Sequence, residues 1–267
     1  MKKVFSICFI FMLSSFVFAN FSDYFSAKEK KFTLDPIYDG IIFSGGASLT
    51  IGTFIAEKVS DKPVFEEHKL DLSSVNSFDK WAARPYSKNL HLTGTITEVF
   101  AMLTPITLVC TNKSEWGVIA VMYAESVLWA NGFKELTKNI VHRYRPYMYF
   151  ENPPIEKIED GDFCRSFPSG HSTVAFNGAM FTSYVFSKYF PESKWKIPVI
   201  VGSFSLATAT AIQRVLSGNH FITDVLAGAF IGSVTGFIVP FLHTLPLKNE
   251  KFDITISPVG FYGKIKL

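Results

Sequence analysis

With 267 residues, 48% of them apolar and 28 of them phenylalanine, the chain is long enough for one helical domain. It uses more aromatic carbon than an ordinary soluble domain of its size, which points it toward lipid. The formal net charge is only +3, and Lys2 and Lys3 sit in an N-terminal leader, so the balance offers no polyanion-binding surface and argues against a nucleic-acid partner.

Residues 1–19 read as a signal peptide or an N-terminal signal anchor, with two lysines, an apolar stretch from Val4 to Val17 and a small residue at Ala19. A single helical domain is expected over 20–247 and a tail over 248–267. Runs poor in charge follow the leader at 41–56, 99–111, 116–133, 172–187, 197–212 and 225–242. Each is read as a helix, so the expected fold is all-α, a bundle of about six core helices embedded in a membrane. The run 225–242 is the strongest spanning candidate, and 41–56, with Gly45 and Gly46, is the weakest. Glu125 has to face the bundle interior or a polar neighbour if its helix lies in lipid.

Between the first two runs, 57–92 is polar with Phe65, Leu70, Leu72, Val75, Phe78 and Trp81 interspersed. It suits an amphipathic helix on the membrane surface, a helix packed on the domain, or a loop with a short docked helix. Residues 147–165 combine prolines with acidic side chains and read as a loop placed for substrate selection. The tail alternates apolar and polar residues around Pro258-Val259-Gly260, a short β-hairpin that must dock to persist. Cys8 lies in the leader, and Cys110 and Cys164 are read as unpaired.

Three short clusters carry the chemistry. Lys138 and Arg145 are seven residues apart, two helical turns, and Pro146 should stop the helix, so both heads are expected on one face where they can close on an oxyanion. The same spacing also suits cations that merely complement the negative end of a helix, the reading kept for His142 and Arg143. Phe167-Pro168-Ser169-Gly170-His171 reads as a tight turn opening a helix, with free amides, a hydroxyl at Ser169 and a glycine free to take unusual backbone angles. Ser169 could equally be a simple helix cap. In the third cluster His220 and Asp224 are four apart, so the carboxylate is expected to accept one imidazole proton and leave the other nitrogen free to attack. Arg214 adds a third permanent cation.

Taken in order, these clusters resemble the type 2 phosphatidic acid phosphatase (PAP2) superfamily, which also holds class A acid phosphatases and vanadium haloperoxidases and has the pattern K-x6-R-P, P-S-G-H, S-R-x5-H-x3-D. Every position matches except one, where Gln213 stands in place of the usual serine. The resemblance implies a nucleophilic His220, oriented by Asp224, that forms a phosphohistidine. It implies His171 as acid and then base, and a phosphate held by Lys138, Arg145, Arg214 and the Ser169-Gly170 turn. It implies no metal and no cofactor. The expected activity is hydrolysis of a phosphomonoester or diphosphate, of a lipid in the first instance. A soluble periplasmic acid phosphatase, a vanadium haloperoxidase and a noncatalytic phosphate-binding membrane protein are the alternatives.

Odd-even counting of the last four runs puts all three clusters at one end of the bundle. The expected location is the cell membrane with the site on the exported, periplasmic side, or else the soluble periplasm. A cleaved leader followed by six spanning helices would instead turn the site inward. The conflict resolves if 41–56 does not cross, if no run crosses, or if the leader inserts without cleavage.

Overall fold

The computed structural model describes residues 31–60, 65 and 70–245, and the backbone of 252–257 and 260–265. The leader assigned to 1–19 and the boundary near 247 lie outside the described residues. Helix α1, Pro36–Val59, starts where the Asp35 carboxylate accepts the amides of Ile37 and Tyr38 at 2.9 and 3.1 Å, with Pro36 in the first turn. A short α2, Ser77–Lys80, is capped by Asn76. Helix α3, Lys88–Met102, runs on as a 3-10 turn, Thr104–Cys110, because Pro105 cannot donate to the α ladder. Helices α4, Trp116–Val141, α5, Ile155–Glu159, α6, Gly170–Tyr189, α7, Lys196–Leu216, and α8, Ile222–Leu242, complete the bundle.

Each charge-poor run therefore lies in a long helix, but the bounds move. The run 99–111 is only the back half of an element that begins at Lys88. Its front half carries His91, Thr95 and Glu98, polar because it faces the site described below. Of the three readings of 57–92, the short docked helix is the one found among the described residues, as α2. The C-terminal hairpin forms between β1, Phe252–Ser257, and β2, Gly260–Ile265, in antiparallel register from Phe252↔Ile265 to Ser257↔Gly260.

Helix α1, expected to be the weakest span, is a 24-residue helix apolar enough to cross, as are Lys88–Cys110, α7 and α8. Gly45 and Gly46 do not weaken it. They admit Trp129 of α4, whose indole donates to the Ile42 carbonyl at 2.9 Å, and a Cβ on Gly46 would sit 3.1 Å from Leu128 Cβ. Ile41, Ile51, Ile55, Phe100, Ile197 and Phe230 stay exposed on the outer faces of these helices, an apolar belt suited to lipid. The protein is a membrane-embedded helical bundle.

Helix α6 is central, packed against α3, α4, α7 and α8, and so can bury Ser172, Thr173, Asn177, Thr182 and Ser183 away from lipid. Asn177 Nδ2 finds partners inside, donating to Ser126 Oγ at 2.6 Å and to Thr235 Oγ1 at 3.0 Å, while its Oδ1 accepts no hydrogen bond among the described residues. The approach of α8 depends on Gly228, Gly232 and Gly236, since a Cβ on Gly232 would overlap the Thr173 carbonyl. Glu125 is fully buried and faces the interior. Chain direction alternates, so α1, α4 and α7 finish at the end where α3, α6 and α8 begin. That end holds all three clusters; Asp35, His243 and the hairpin lie at the other.

Candidate active site

Helix α4 ends earlier than Pro146 would require. His142 takes a left-handed conformation, φ 45°, and closes the helix, so Arg145 sits in an extended link at φ −77°, ψ 152° instead of on the helix face below Lys138. Tertiary contacts bring the two together. Asp162, from the loop over 147–165, accepts Arg145 Nη2 at 2.6 Å, and its carbonyl accepts Nε at 2.9 Å. Arg145 Nη1 donates to the Asn219 carbonyl at 2.9 Å and points at His220 Nε2, 3.0 Å away.

His220 precedes α8, so the helical i,i+4 geometry expected for it and Asp224 does not apply. Its Nδ1 lies 2.7 Å from the Ser166 carbonyl and 3.7 Å from Asp224 Oδ2. A carbonyl only accepts, so Nδ1 carries the proton and Nε2 the lone pair. Asp224 is instead the N3 residue of α8. It accepts the Phe221 amide at 2.8 Å, the Ser166 hydroxyl at 2.5 Å and Arg143 Nη1 at 2.6 Å. It acts on His220 by fixing Ser166, not by accepting the imidazole proton.

Ser169 is fully buried and caps α6, accepting from the Ser172 amide at 3.4 Å and the Ser172 hydroxyl at 3.2 Å, while its own amide donates to the Asp224 carbonyl. Its hydroxyl oxygen accepts at the helix start, and Ser169 is not among the residues that line the cavity described below. Gly170 is the first helical residue with no unusual backbone angle; what it supplies is space, since a Cβ there would lie 3.1 Å from Lys134 Cδ and 3.6 Å from Lys138 Nζ. The amides of Gly170 and His171, in the first turn, have no helical carbonyl to bind and remain open to an anion. His171 Nε2 is 3.2 Å from Thr95 Oγ1 and 3.3 Å from Glu98 Oε2, both on α3.

Arg214 is 1% exposed, and its Nη1 donates to His91 Nδ1 at 2.9 Å. Gly94 on α3 makes room for it, because a Cβ there would be 3.3 Å from Arg214 Cδ. Arg214 Nε is buried without a hydrogen-bond acceptor among the described residues. Gln213 turns the other way and accepts from Thr97 Oγ1 at 3.3 Å, packing on α3. Lys138, Arg145, Gly170, His171, Arg214 and His220 together line one cavity of about 290 Å3. His91, Glu98, Lys134, Lys157 and Asp162 share its wall.

Sequence reasoning missed the support of this cavity. Arg143, read as a helix-end cation, is a clamp: Nη1 reaches Asp224 and Nη2 reaches Asp79 Oδ2 at 2.7 Å, with the guanidinium over the Phe221 ring at 4.3 Å. Asp79, delivered by α2, also accepts the Thr223 amide at 2.9 Å, which ties the loop between α1 and α3 to the start of α8. The Asn76-x2-Asp79 spacing was the one local sign of that docked turn.

Burial, and then the charges of Arg145, Arg214 and Lys138, hold the His220 imidazole well below its ordinary value, against a smaller upward pull from Ser166. The ring therefore stays neutral in the fold at a pH where it protonates in the unfolded chain. The unfolded state binds the extra proton, so this contribution to stability is complete above the ordinary histidine pKa of 6.5 and declines as pH falls below it. Unfolding free energy of the detergent-solubilised protein is expected to drop between about pH 6.5 and 5, and His220→Gln is expected to flatten that slope. An unchanged slope in the variant would show that His220 is not held neutral.

Residues 119–245 match the PAP2 superfamily. The chain is 40% identical over 106 residues to phosphatidylglycerophosphatase B of Bacillus subtilis, covering 39% of this chain and 48% of that protein. It is 29% identical over 125 residues to lipid A 1-phosphatase of Porphyromonas gingivalis, covering 47% of this chain and 24% of that one. It is also 29% identical over 142 residues to the probable diacylglycerol pyrophosphate phosphatase 1 of Schizosaccharomyces pombe, covering 45% and 51%. The chain thus spans about a quarter to about half of the length of these relatives. Among solved structures, the transmembrane PAP2 type phosphatidylglycerolphosphate phosphatase of Bacillus subtilis aligns with a TM-score of 0.45 and 21% identity, over 76% of this chain and 98% of that one. The matched segment, 119–245, holds every residue of the three clusters, and over it the chain is similar to the PAP2 superfamily.

Proposed function

We propose that the protein hydrolyses a phosphomonoester or diphosphate carried by a lipid, through a phosphohistidine on His220. The observation that carries this reading is the arrangement of His220, with Nδ1 pinned by a carbonyl and the Nε2 lone pair turned toward a cavity ringed by Lys138, Arg145 and Arg214. A phosphate dianion there would accept from the unpartnered Arg214 Nε and from the open α6 amides, which neutralises a cluster of buried cations. In the first step Nε2 attacks phosphorus, the bond to the leaving oxygen breaks, and His171 protonates that oxygen. In the second, His171 takes a proton from water, whose oxygen displaces the imidazole and frees phosphate. Asp224 supports the ring cation that develops between the steps, electrostatically and through Ser166.

A lipid substrate follows from the apolar belt around the bundle and from relatives named for lipid A, phosphatidylglycerophosphate and diacylglycerol pyrophosphate. Phosphate release from a panel of detergent-dispersed lipid phosphates and diphosphates beside one water-soluble ester tests it. Preference for a lipid is the expected result; equal turnover of the soluble ester would overturn the lipid assignment.

The site end is assigned to the exported side. Lys113, Lys188, Lys194 and Lys196 flank the opposite end while Lys58, Lys80, Arg84, Lys157 and Arg165 flank the site end, so basic residues do not choose the side, and the assignment rests on the family resemblance alone. Because α1 runs the height of the bundle, residue 35 is then cytoplasmic and the leader does not carry it across. A green fluorescent protein fused to the C-terminus of the full chain should fluoresce, and an export-dependent alkaline phosphatase reporter at the same place should be inactive. The reverse pattern would put the site inside.

A further inference from the structure

At the end of the bundle opposite the phosphate cavity, three helices converge on a second polar cluster that the proposed reaction does not use. Asp39 comes from the first turn of α1, Glu125 from α4 and His243 from the residue that closes α8. One ligand atom from each lies within 4.8 Å of the others. Glu125 is fully buried, and neither of its carboxylate oxygens accepts a hydrogen bond among the described residues. His243 Nδ1 donates to the Val239 carbonyl at 2.8 Å, which fixes the ring and turns Nε2 toward the carboxylates. That nitrogen sits 3.0 Å from Asp39 Oδ1 and 3.3 Å from Glu125 Oε2, yet neither contact has the alignment of a hydrogen bond.

We propose that Asp39, Glu125 and His243 form a binding site for a divalent transition-metal ion of the zinc class, which braces α1, α4 and α8 together. A tetrahedral ion with ligands at about 2.0–2.1 Å holds neighbouring ligand atoms roughly 3.3 Å apart, close to the 3.0 and 3.3 Å that Nε2 keeps from Asp39 and Glu125. The donor set of one imidazole nitrogen and two carboxylate oxygens suits zinc or its neighbours better than calcium or magnesium, which prefer oxygen alone. An imidazole whose other nitrogen is tied to a backbone carbonyl is the usual supported metal ligand. Charge points the same way: two carboxylates against at most one imidazolium leave a net negative charge inside an apolar bundle, whereas a dication with a neutral imidazole balances them. Asp39 is partly exposed, so an ion and the water that completes its shell have a way in. The residues are 86 and 118 positions apart, so no ligand spacing marks them in the chain.

The test uses the full chain without an affinity tag, purified in detergent and stripped with chelator. Added Zn(II) should bind with one ion per chain and raise the thermal unfolding midpoint by about 5 °C or more; Glu125→Gln, nearly isosteric, should lose that shift. Co(II) in the wild-type chain should give the visible absorption of a tetrahedral site without the thiolate charge-transfer band that Cys110 or Cys164 would produce. The Co(II) measurement decides the matter even where the variant fails to fold. No stoichiometric uptake by the wild type, a thiolate band, or a full Zn(II) shift in folded Glu125→Gln would each overturn the site and leave a buried ion pair.

Discussion

His220→Gln is expected to lower phosphate release by at least about 10³-fold while the helical signal of the bundle stays that of the parent chain. Glutamine can still place a donor near the Ser166 carbonyl, so the turn before α8 keeps its main hydrogen bond. It has no lone pair able to displace an alkoxide or phosphate at phosphorus. Rapid acid quench with a 32P-labelled lipid phosphate should trap label on the parent chain and none on the variant. Arg145→Ala should show a different pattern: the nucleophile remains, but the group beside its lone pair and the contacts to Asp162 and Asn219 are gone, so label accumulates slowly. Full turnover by His220→Gln would remove the nucleophile from this cavity altogether.

Arg143→Met is the second large effect. The side chain joins Asp79 and Asp224, both with no solvent exposure, at 2.7 and 2.6 Å, and also donates to Thr223 Oγ1 at 2.7 Å. Removing it strands two buried carboxylates, a loss of about 3–5 kcal/mol for a buried pair broken on one side. Activity should fall as well, because the same carboxylate of Asp224 holds Ser166, which in turn holds His220. Arg143→Lys should recover only part of both, since a single ammonium cannot bridge two carboxylates as a planar fork does. Thermal unfolding and phosphate release of the two variants, with Asp79→Asn combined with Arg143→Met to close a double-mutant cycle, measure the coupling. Unfolding of Arg143→Met at the parent midpoint would show that the clamp carries no stability.

Legibility in the sequence followed the reach of each interaction. Charge-poor runs marked all six long helices among the described residues because burial in lipid or in the bundle acts on whole faces. The front of α3 escaped because its site-facing turn is polar for the same reason that it is useful: it presents His91, Thr95 and Glu98 to Arg214 and His171. Motif spacing identified Lys138, Arg145, Gly170, His171, Arg214 and His220 of the cavity lining but not His91, Glu98, Lys134, Lys157 or Asp162, and it assigned two residues the wrong geometry. Spacing alone makes Arg145 and His220 helical, whereas both lie in links just outside helices, where a separation of four or seven no longer means a shared face.

By itself, then, the amino-acid order determined a helical membrane bundle, the identity of the cations and imidazoles at one end, and, through alternation of chain direction, their presence at the same end. Only the tertiary structure decided who holds whom: Ser166 rather than Asp224 takes the His220 proton, Asp162 grips Arg145, Arg143 bridges to Asp79, and Asp39 and Glu125 meet His243. The reason is physical. Regular backbone angles repeat only within a helix, so spacing reports neighbours a turn or two away, whereas these partners stand from 17 to 204 positions apart and meet only once the helices have packed.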